Sequence, residues 1–416
     1  MMKKDDISLI GYGKTTKAIA KALGNNMVFY DDNIQKVSID EYSNIIYPSN
    51  EFDKDNSKVQ ILTPSIPPNH QILKTASNPI SEYDAILSNN LSIPSLKANP
   101  QLDIWISGTN GKTTTTQMVT HLLSEYGAVS GGNIGMPLAS IPKDAPIWVL
   151  ESSSYTLHHT KDAFPNIYLL LPITPDHLNW HKDAKSYIKD KLSPLKRMRE
   201  GELALIPHGL DTPDTSAWVV EYKNSQDIAN FFGIDILKID FKAGFLMDAL
   251  MALVVKKVLF DVIDYESINS FKLDKHRQEE IIDKRGRVWV NDSKATNLDA
   301  TLQAIEAYKD RYIHIILGGD DKGVDMTPLI EKLAKIECTI YTIGSNSQRL
   351  YNMAKSKSLK VYECKYLKDA INLIDSKLNK DEVALLSPAA SSLDQFPSYA
   401  KRGEEFIDFV KNLSLD

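Results

Sequence analysis

Short runs of β-branched and apolar residues alternate with helix-period patterns along almost the whole chain. That alternation is the signature of parallel sheets joined by crossover helices, so an α/β fold is expected. The first strand is ISLIG at 7–11, leading into a helix over Lys14–Leu23, with further strands at MVFYD (27–31), VQILT (59–63) and DAILS (84–88). A polar, proline-containing stretch, SNNLSIPSLKANPQ (88–101), reads as a linker before a new strand, DIWIS (103–107). A helix over Lys112–Tyr126, strands PIWVLE (146–151) and IYLLLP (167–172), and a long apolar helix at 245–260 follow. The segment SINSFKLDKH (267–276) reads as a second linker. After it, RVWVND (287–292), a helix over Asn297–Tyr308, IHIILGG (313–319), CTIYTIG (338–344), KVYE (360–363) and EVALLS (382–387) make another α/β unit. Three domains are therefore expected, each a mainly parallel sheet with flanking helices, at 1–98, 99–272 and 273–416.

Composition changes this picture little. The chain of 416 residues is 43% hydrophobic and 25% charged, as in an ordinary soluble protein. Acids and glycines interrupt the N-terminal run where a signal peptide needs an apolar core, and no 18 apolar residues run together, so a cytoplasmic protein without a membrane span is expected. Two cysteines, Cys338 and Cys364, are too few for a disulfide framework and read as small buried hydrophobes. A net charge of −6 argues against a nucleic-acid partner.

Candidate chemistry lies where strands end, because loop amides and helix N-termini converge there in open α/β sheets. WISGTNGKTTTT (105–116) is a strand, a glycine turn and a helix opening on Lys112-Thr113. Such a turn aims backbone N–H groups at a polyphosphate, offers an ammonium to its terminal oxygens and supplies a hydroxyl for Mg²⁺. The strict phosphate-loop pattern is not met, since Ile106 stands where its first glycine belongs, and a threonine-rich helix start is the plainer alternative. Glu151 at a strand end is either a metal ligand or a solvated cap; His177 beside Asp176 is either a ligand or polar surface. GYGKTT (11–16), with Asp31, Asp32 and Asn33 ending the next strand, suits either a nucleotide or a tight turn. YIKDK (187–191) reads from its own residues as an exposed amphipathic helix, and Lys294 and Lys322 either converge on an anion or are solvated loop lysines.

GTNGKT (108–113), GGNIG (131–135), ESSSYTL (151–157), PDH (175–177), YIKDK, HR (276–277), NDSKATN (291–297), LGGDDKG (317–323) and SPAASSLDQF (387–396) together resemble the Mur ligases, which add amino acids to the bacterial peptidoglycan precursor. The likeness spans nearly the whole chain. It implies an ATP-dependent ligase of three α/β domains that activates a carboxylate as an acyl phosphate. NDSKATN with SPAASSLDQF narrows the implied substrates to UDP-N-acetylmuramoyl-L-alanine and D-glutamate. By the same resemblance, Gly108, Thr109, Asn110, Gly111, Lys112, Thr113, Thr114, Arg277 and Asp292 would hold ATP. Thr113, Glu151, His177 and a carbamylated Lys191 would hold two Mg²⁺, with Lys112, Glu151, His177 and Lys191 as the catalytic set. Gly13, Thr15, Thr16, Asp32, Asn33, Thr63, Asn133 and Thr156 would meet the UDP substrate, and Lys294, Thr296, Lys322, Ser392 and Tyr399 would cradle D-glutamate in a monomeric enzyme.

Some positions depart from the family. Asp32-Asn33 replaces a threonine-arginine pair, Thr156 a glutamine, and Gly244-Phe245 a histidine-asparagine segment, with Asp248 where asparagine is usual. Two rival readings remain open. One is a related ligase for another amino acid or for folate. The other is a dinucleotide oxidoreductase, which GYG suggests but which lacks its third glycine at Thr16.

Overall fold

The computed structural model describes residues 4–91 and 93–413; Ser92, inside the first expected linker, and the first and last three residues lie outside them. Among the described residues, three six-stranded sheets organise the chain. The first contains β1 (Ile7–Ile10), β2 (Val28–Asp31), β3 (Ser38–Ile39), β4 (Ile45–Pro48), β5 (Val59–Leu62) and β6 (Pro79–Ile80), in the order β3-β4-β2-β1-β5-β6. Only the β3–β4 pair is antiparallel. The second contains β7 (Leu102–Ser107), β8 (Ala128–Gly132), β9 (Ile147–Glu151), β10 (Ile167–Leu170), β11 (Leu203–Pro207) and β12 (Trp218–Tyr222). It is wholly parallel, in the order β12-β11-β10-β7-β9-β8. The third contains β13 (Glu279–Ile282), β14 (Val288–Asn291), β15 (Ile313–Leu317), β16 (Cys338–Ile343), β17 (Val361–Lys365) and β18 (Val383–Leu386), in the order β13-β14-β18-β15-β16-β17. Only β13–β14 is antiparallel there. The expected class, mainly parallel sheets with flanking helices, is the observed one.

The chain forms two compact units. One runs to Phe241 and takes in Phe245–Phe271, and so holds the first two sheets; the other comprises Lys242–Gly244 and the chain from Lys272. Strands buried on both faces read as continuous apolar runs, and Ile7–Ile10, Val59–Leu62 and Ile147–Glu151 are buried at every position. The helix Ala243–Phe260 is apolar all round, and Asp248–Lys256 is buried without interruption, as expected of a core helix. Among the described residues no helix is long and apolar enough to cross a membrane.

Local chemistry overrides three expectations. DAILS is the end of a helix, Glu82–Leu87, because Ser81 caps it by accepting from Asp84 N at 3.1 Å. The Asp84 carboxylate in turn accepts from the backbone N–H groups of Lys161, Asp162 and Ala163 at 2.7–2.9 Å. The second linker is shorter than expected, since Asp264 caps a helix, Tyr265–Ser270, that occupies its beginning. Both cysteines are partly rather than fully buried.

The helix Glu82–Leu87 also joins the first two sheets. Glu82 is 5% exposed and accepts from Ala139 N at 3.2 Å, and burial pushes its carboxyl up to about 8. A raised folded-state value means that the native protein retains a proton the unfolded chain releases, so stability falls as pH rises from the ordinary glutamate range to about 8. Glu82→Gln keeps an acceptor for Ala139 and removes this titration. Thermal unfolding from pH 5 to 9 is expected to show the wild type losing Tm relative to Glu82→Gln across that window, the variant being the more stable at the alkaline end.

Candidate active site

The phosphate-loop segment leaves β7, the strand beside which the order of the second sheet reverses, and enters the helix Lys112–Leu122. Gly111 is the N-cap and takes φ +85°, a left-handed conformation that side chains resist. Lys112 Nζ folds back on the loop and donates to Gly108 O at 3.1 Å and Thr109 O at 2.8 Å. Thr113 Oγ1 donates to Glu151 Oε2 at 2.7 Å, and Asn133 Nδ2 donates to Glu151 Oε1 at 2.7 Å. Glu151 is only 2% exposed, so it is not a solvated strand cap. Thr114 is buried in the helix, and Asn110 borders the turn half-buried.

Lys191 is likewise not on an exposed face. It is 1% exposed, and its Nζ donates to Gly108 O at 2.7 Å and lies 3.3 Å from Ser107 Oγ. Burial, with the nearby Lys112 ammonium adding to it, lowers its amine well below the usual lysine range. Tyr187, one turn earlier on the helix Ala184–Leu192, bonds Thr109 Oγ1 at 3.0 Å and fastens that helix to the loop. His177 stands at φ +54°, caps the short helix Leu178–His181, and packs on the Tyr155 ring at 4.9 Å. Burial lowers its imidazole, with the neighbouring lysines adding to the effect against Asp176.

Asp190 shares the Lys191 helix. Its Oδ2 meets His158 Nδ1 and His181 Nδ1, each at 2.9 Å, and although burial pushes its carboxyl up, those hydrogen bonds hold it below the usual range. The sequence motif contained Tyr187 and Asp190 without indicating a role for either.

In the first sheet the GYG turn follows β1, which lies between β2 and β5. Tyr12 N donates to Asp31 Oδ2 at 2.7 Å, and Thr16 Oγ1 donates to Gly11 O at 2.6 Å. Thr63, at the end of β5, fills the hollow of this turn: a Cβ on Gly11 would stand 2.2 Å from Thr63 Cγ2, and one on Gly13 would stand 3.2 Å from its Oγ1. Thr15 lies beside them on the same helix. Asp32 instead faces His70 Nε2 at 3.1 Å, and Asn33 is exposed. Thr156, buried, bonds Ser153 at 2.9 Å near Glu151.

In the third sheet, β14, β18 and β15 are neighbours, so the loops after them adjoin. Ala389 N donates to Ala295 O at 3.1 Å, and Asp320 pairs with Ser391. Lys294 Nζ lies 4.0 Å above the Tyr399 ring, while Ser392 is buried and Thr296 and Lys322 are exposed. Asp292 Oδ2 accepts from Ser387 at 2.8 Å, and burial pushes its carboxyl up to about 7 against the nearby Arg277 charge. Arg402, 1% exposed, donates to Ser293 Oγ at 2.9 Å, Ser293 O at 2.9 Å and Ala390 O at 3.2 Å, and so pins the β14 and β18 loops together. Only its position one turn after Tyr399 on a shared helix could have marked it in advance.

The loop after β7 brings a glycine turn, Lys112 and Thr113 to a helix N-terminus, the groups that suit a polyphosphate, and the loops of the third sheet carry Lys294 and Lys322. Comparison with known proteins bears on both halves. The Mur ligase middle domain model matches residues 106–248, and the Mur ligase glutamate ligase domain model matches 276–390. A UDP-N-acetylmuramoylalanine–D-glutamate ligase of Campylobacter jejuni (strain RM1221) is 46% identical over 410 residues, covering 98% of this chain and 100% of its own.

The chain belongs to the Mur ligase family.

A ligase of the same description from Helicobacter pylori (strain HPAG1) is 41% identical, with 97% of this chain and 99% of that protein covered. Among solved structures, MurF ligase from Thermotoga maritima in complex with ADP has a TM-score of 0.59 at 15% identity, covering 98% of this chain and 95% of its own; it shares the fold.

In this Mur ligase the Gly111 turn resists a side chain. A Cβ there would stand 2.4 Å from Asp248 Oδ1, besides the left-handed backbone costing roughly 1–2 kcal/mol. Gly111→Ala is expected to lower the Tm by several degrees in calorimetry, the left-handed backbone and the approach to Asp248 both contributing.

Proposed function

We propose that this chain is the ligase that joins D-glutamate to UDP-N-acetylmuramoyl-L-alanine at the expense of ATP, in peptidoglycan precursor synthesis. Relatives of that name, matched over essentially their full length at 41–46% identity, carry the reading. The geometry supports it. Residues 1–98 would hold the UDP moiety, with Gly13, Thr15, Thr16 and Thr63 at the GYG turn and Asn133 and Thr156 toward the sugar; 99–272 would hold ATP, and 273–416 D-glutamate. Asp32 and Asn33 are the less direct candidates, because His70 engages Asp32.

The chemistry needs positioning and charge neutralisation more than covalent help from the protein. The substrate carboxylate takes the γ-phosphoryl group of ATP, with ADP leaving. The D-glutamate amine then attacks that acyl carbon, and phosphate departs as the amide forms. Lys112 and the helix N-terminus would neutralise the transferring phosphoryl charge. Lys294, Thr296, Lys322 and Ser392 would match the two carboxylates of the amino acid, with Tyr399 holding Lys294 in place.

The residues fit Mg²⁺. Two hard oxygen donors, Thr113 Oγ1 and Glu151 Oε2, stand 2.7 Å apart. Mg²⁺ prefers such sparse protein ligation, completed by phosphate oxygens and water, and when bound it would polarise the phosphoryl group. His177 and Lys191 would complete the set. The depressed amine of Lys191 suits addition to CO₂: the nitrogen lone pair attacks carbon, a proton is released, and a carbamate results. This exchanges a cation for an anion beside the metal.

Three outcomes test the proposal. Lys191→Ala should be inactive and partly recover with acetate, which can supply the missing oxygens; full activity without added acid would remove Lys191 from the site. Phosphate release measured with each substrate omitted in turn should require both UDP-N-acetylmuramoyl-L-alanine and D-glutamate. D-glutamine should be poorer by about 1.5–3 kcal/mol, roughly 10–150-fold in kcat/KM, because a charged donor then faces an amide. Comparable kcat/KM for D-glutamate, L-glutamate and D-glutamine would point to another amino acid.

A further inference from the structure

Asp190, His181 and Ser154 stand in line like an orienting acid, base and nucleophile: Asp190 Oδ2 to His181 Nδ1 is 2.9 Å, and His181 Nε2 to Ser154 Oγ is 2.9 Å. Ser154 is 3% exposed and the His181 side chain is wholly buried. A nucleophile there has no room to meet an acyl carbon. Asp190 moreover spends the same oxygen on a second imidazole, His158, at 2.9 Å. The cluster is thus a fastening, and what it fastens is informative.

Each member sits on a segment that carries one candidate metal ligand. Asp190 immediately precedes Lys191 on the helix Ala184–Leu192. His181 ends the short helix that His177 begins. Ser154 and His158 lie on the helix Ser154–His159, which starts three residues after Glu151 at the end of β9. We propose that Asp190 is a positioning residue: through His158, and through His181 to Ser154, its carboxylate fixes Lys191, His177 and Glu151 relative to one another. The proposal rests on the metal-site reading above.

The geometry explains why one carboxylate serves. Two imidazoles that each donate Nδ1–H to Oδ2 are held in one tautomer, which leaves His181 Nε2 free to accept the Ser154 hydroxyl proton. A partner of this kind orients a site without touching substrate, and its loss typically lowers affinity or activity about 10–100-fold. An amide oxygen could accept the same two N–H groups, so geometry and charge can be separated.

The experiment uses the full chain and the variants Asp190→Ala, Asp190→Asn and, as the reference for signal assignment, Lys191→Ala. Three quantities are measured: kcat with KM for D-glutamate, Tm, and the ¹³C carbamate resonance at Lys191 in ¹³C-bicarbonate. Asp190→Ala is expected to lose kcat about 10–100-fold, to keep its KM for D-glutamate, and to lose most of the carbamate signal while still unfolding cooperatively. Asp190→Asn should recover most of both. Near-wild-type kcat with full carbamate signal in Asp190→Ala would overturn the proposal, as would an Asp190→Asn variant no better than Asp190→Ala. If Asp190→Ala does not fold, His158→Gln, at a partly exposed side chain that breaks one arm of the fastening, is held to the same criterion. A wild type without D-glutamate-dependent turnover would sink the proposed activity instead. The carbamate signal would then still read the positioning on its own.

Discussion

The hydrogen bond from Thr113 Oγ1 to Glu151 Oε2, 2.7 Å long, is the contact on which the candidate active site depends. It closes the loop after β7 against the end of β9, the neighbouring strand, and it involves a carboxylate only 2% exposed. Burying such a group is costly unless charge or hydrogen bonds compensate it. Its two oxygens receive one neutral donor each, from Thr113 and from Asn133. A site of this kind favours a cation, and Mg²⁺ is the one the proposed function would place there.

Everything placed around that carboxylate answers the same electrostatic demand. Lys112 turns back onto loop carbonyls, and Lys191 is buried against Gly108 O with its amine depressed by burial and by Lys112. Two cations this close to one loop would repel each other; the carbamate proposed for Lys191 would remove the conflict and add oxygen donors. Tyr187 fastens its helix to the loop at Thr109, and Asp190, His181 and Ser154 tie together the segments that must agree in place to within fractions of an ångström. In the third sheet, Arg402 does comparable work for the Lys294 and Ser392 loops.

Much of this was legible in the residues because parallel sheets write themselves plainly. The apolar runs at Ile7, Val59, Ile147 and Ile313 became strands where expected, and the glycine turns after β1 and β7 lie beside the places where the sheet orders reverse. Side-chain burial was not legible. YIKDK has the period of a surface helix, and only the approach of that helix to Gly108 puts Lys191 inside. DAILS looks like a strand until Ser81 and the backbone N–H groups at 161–163 claim Asp84. Asp190 and Arg402 act through partners at |i−j| of 9 to 109, separations at which no local pattern can announce them.

The central claim is that the substrate carboxylate, and not the amino acid, is what ATP activates. It is tested most directly by following oxygen. With UDP-N-acetylmuramoyl-L-alanine carrying ¹⁸O in its alanyl carboxylate, single-turnover reaction with ATP and D-glutamate should deliver one ¹⁸O to the inorganic phosphate, because that oxygen bridges carbon and phosphorus before the amine displaces it. Phosphate free of ¹⁸O, formed alongside the amide product, would contradict the account.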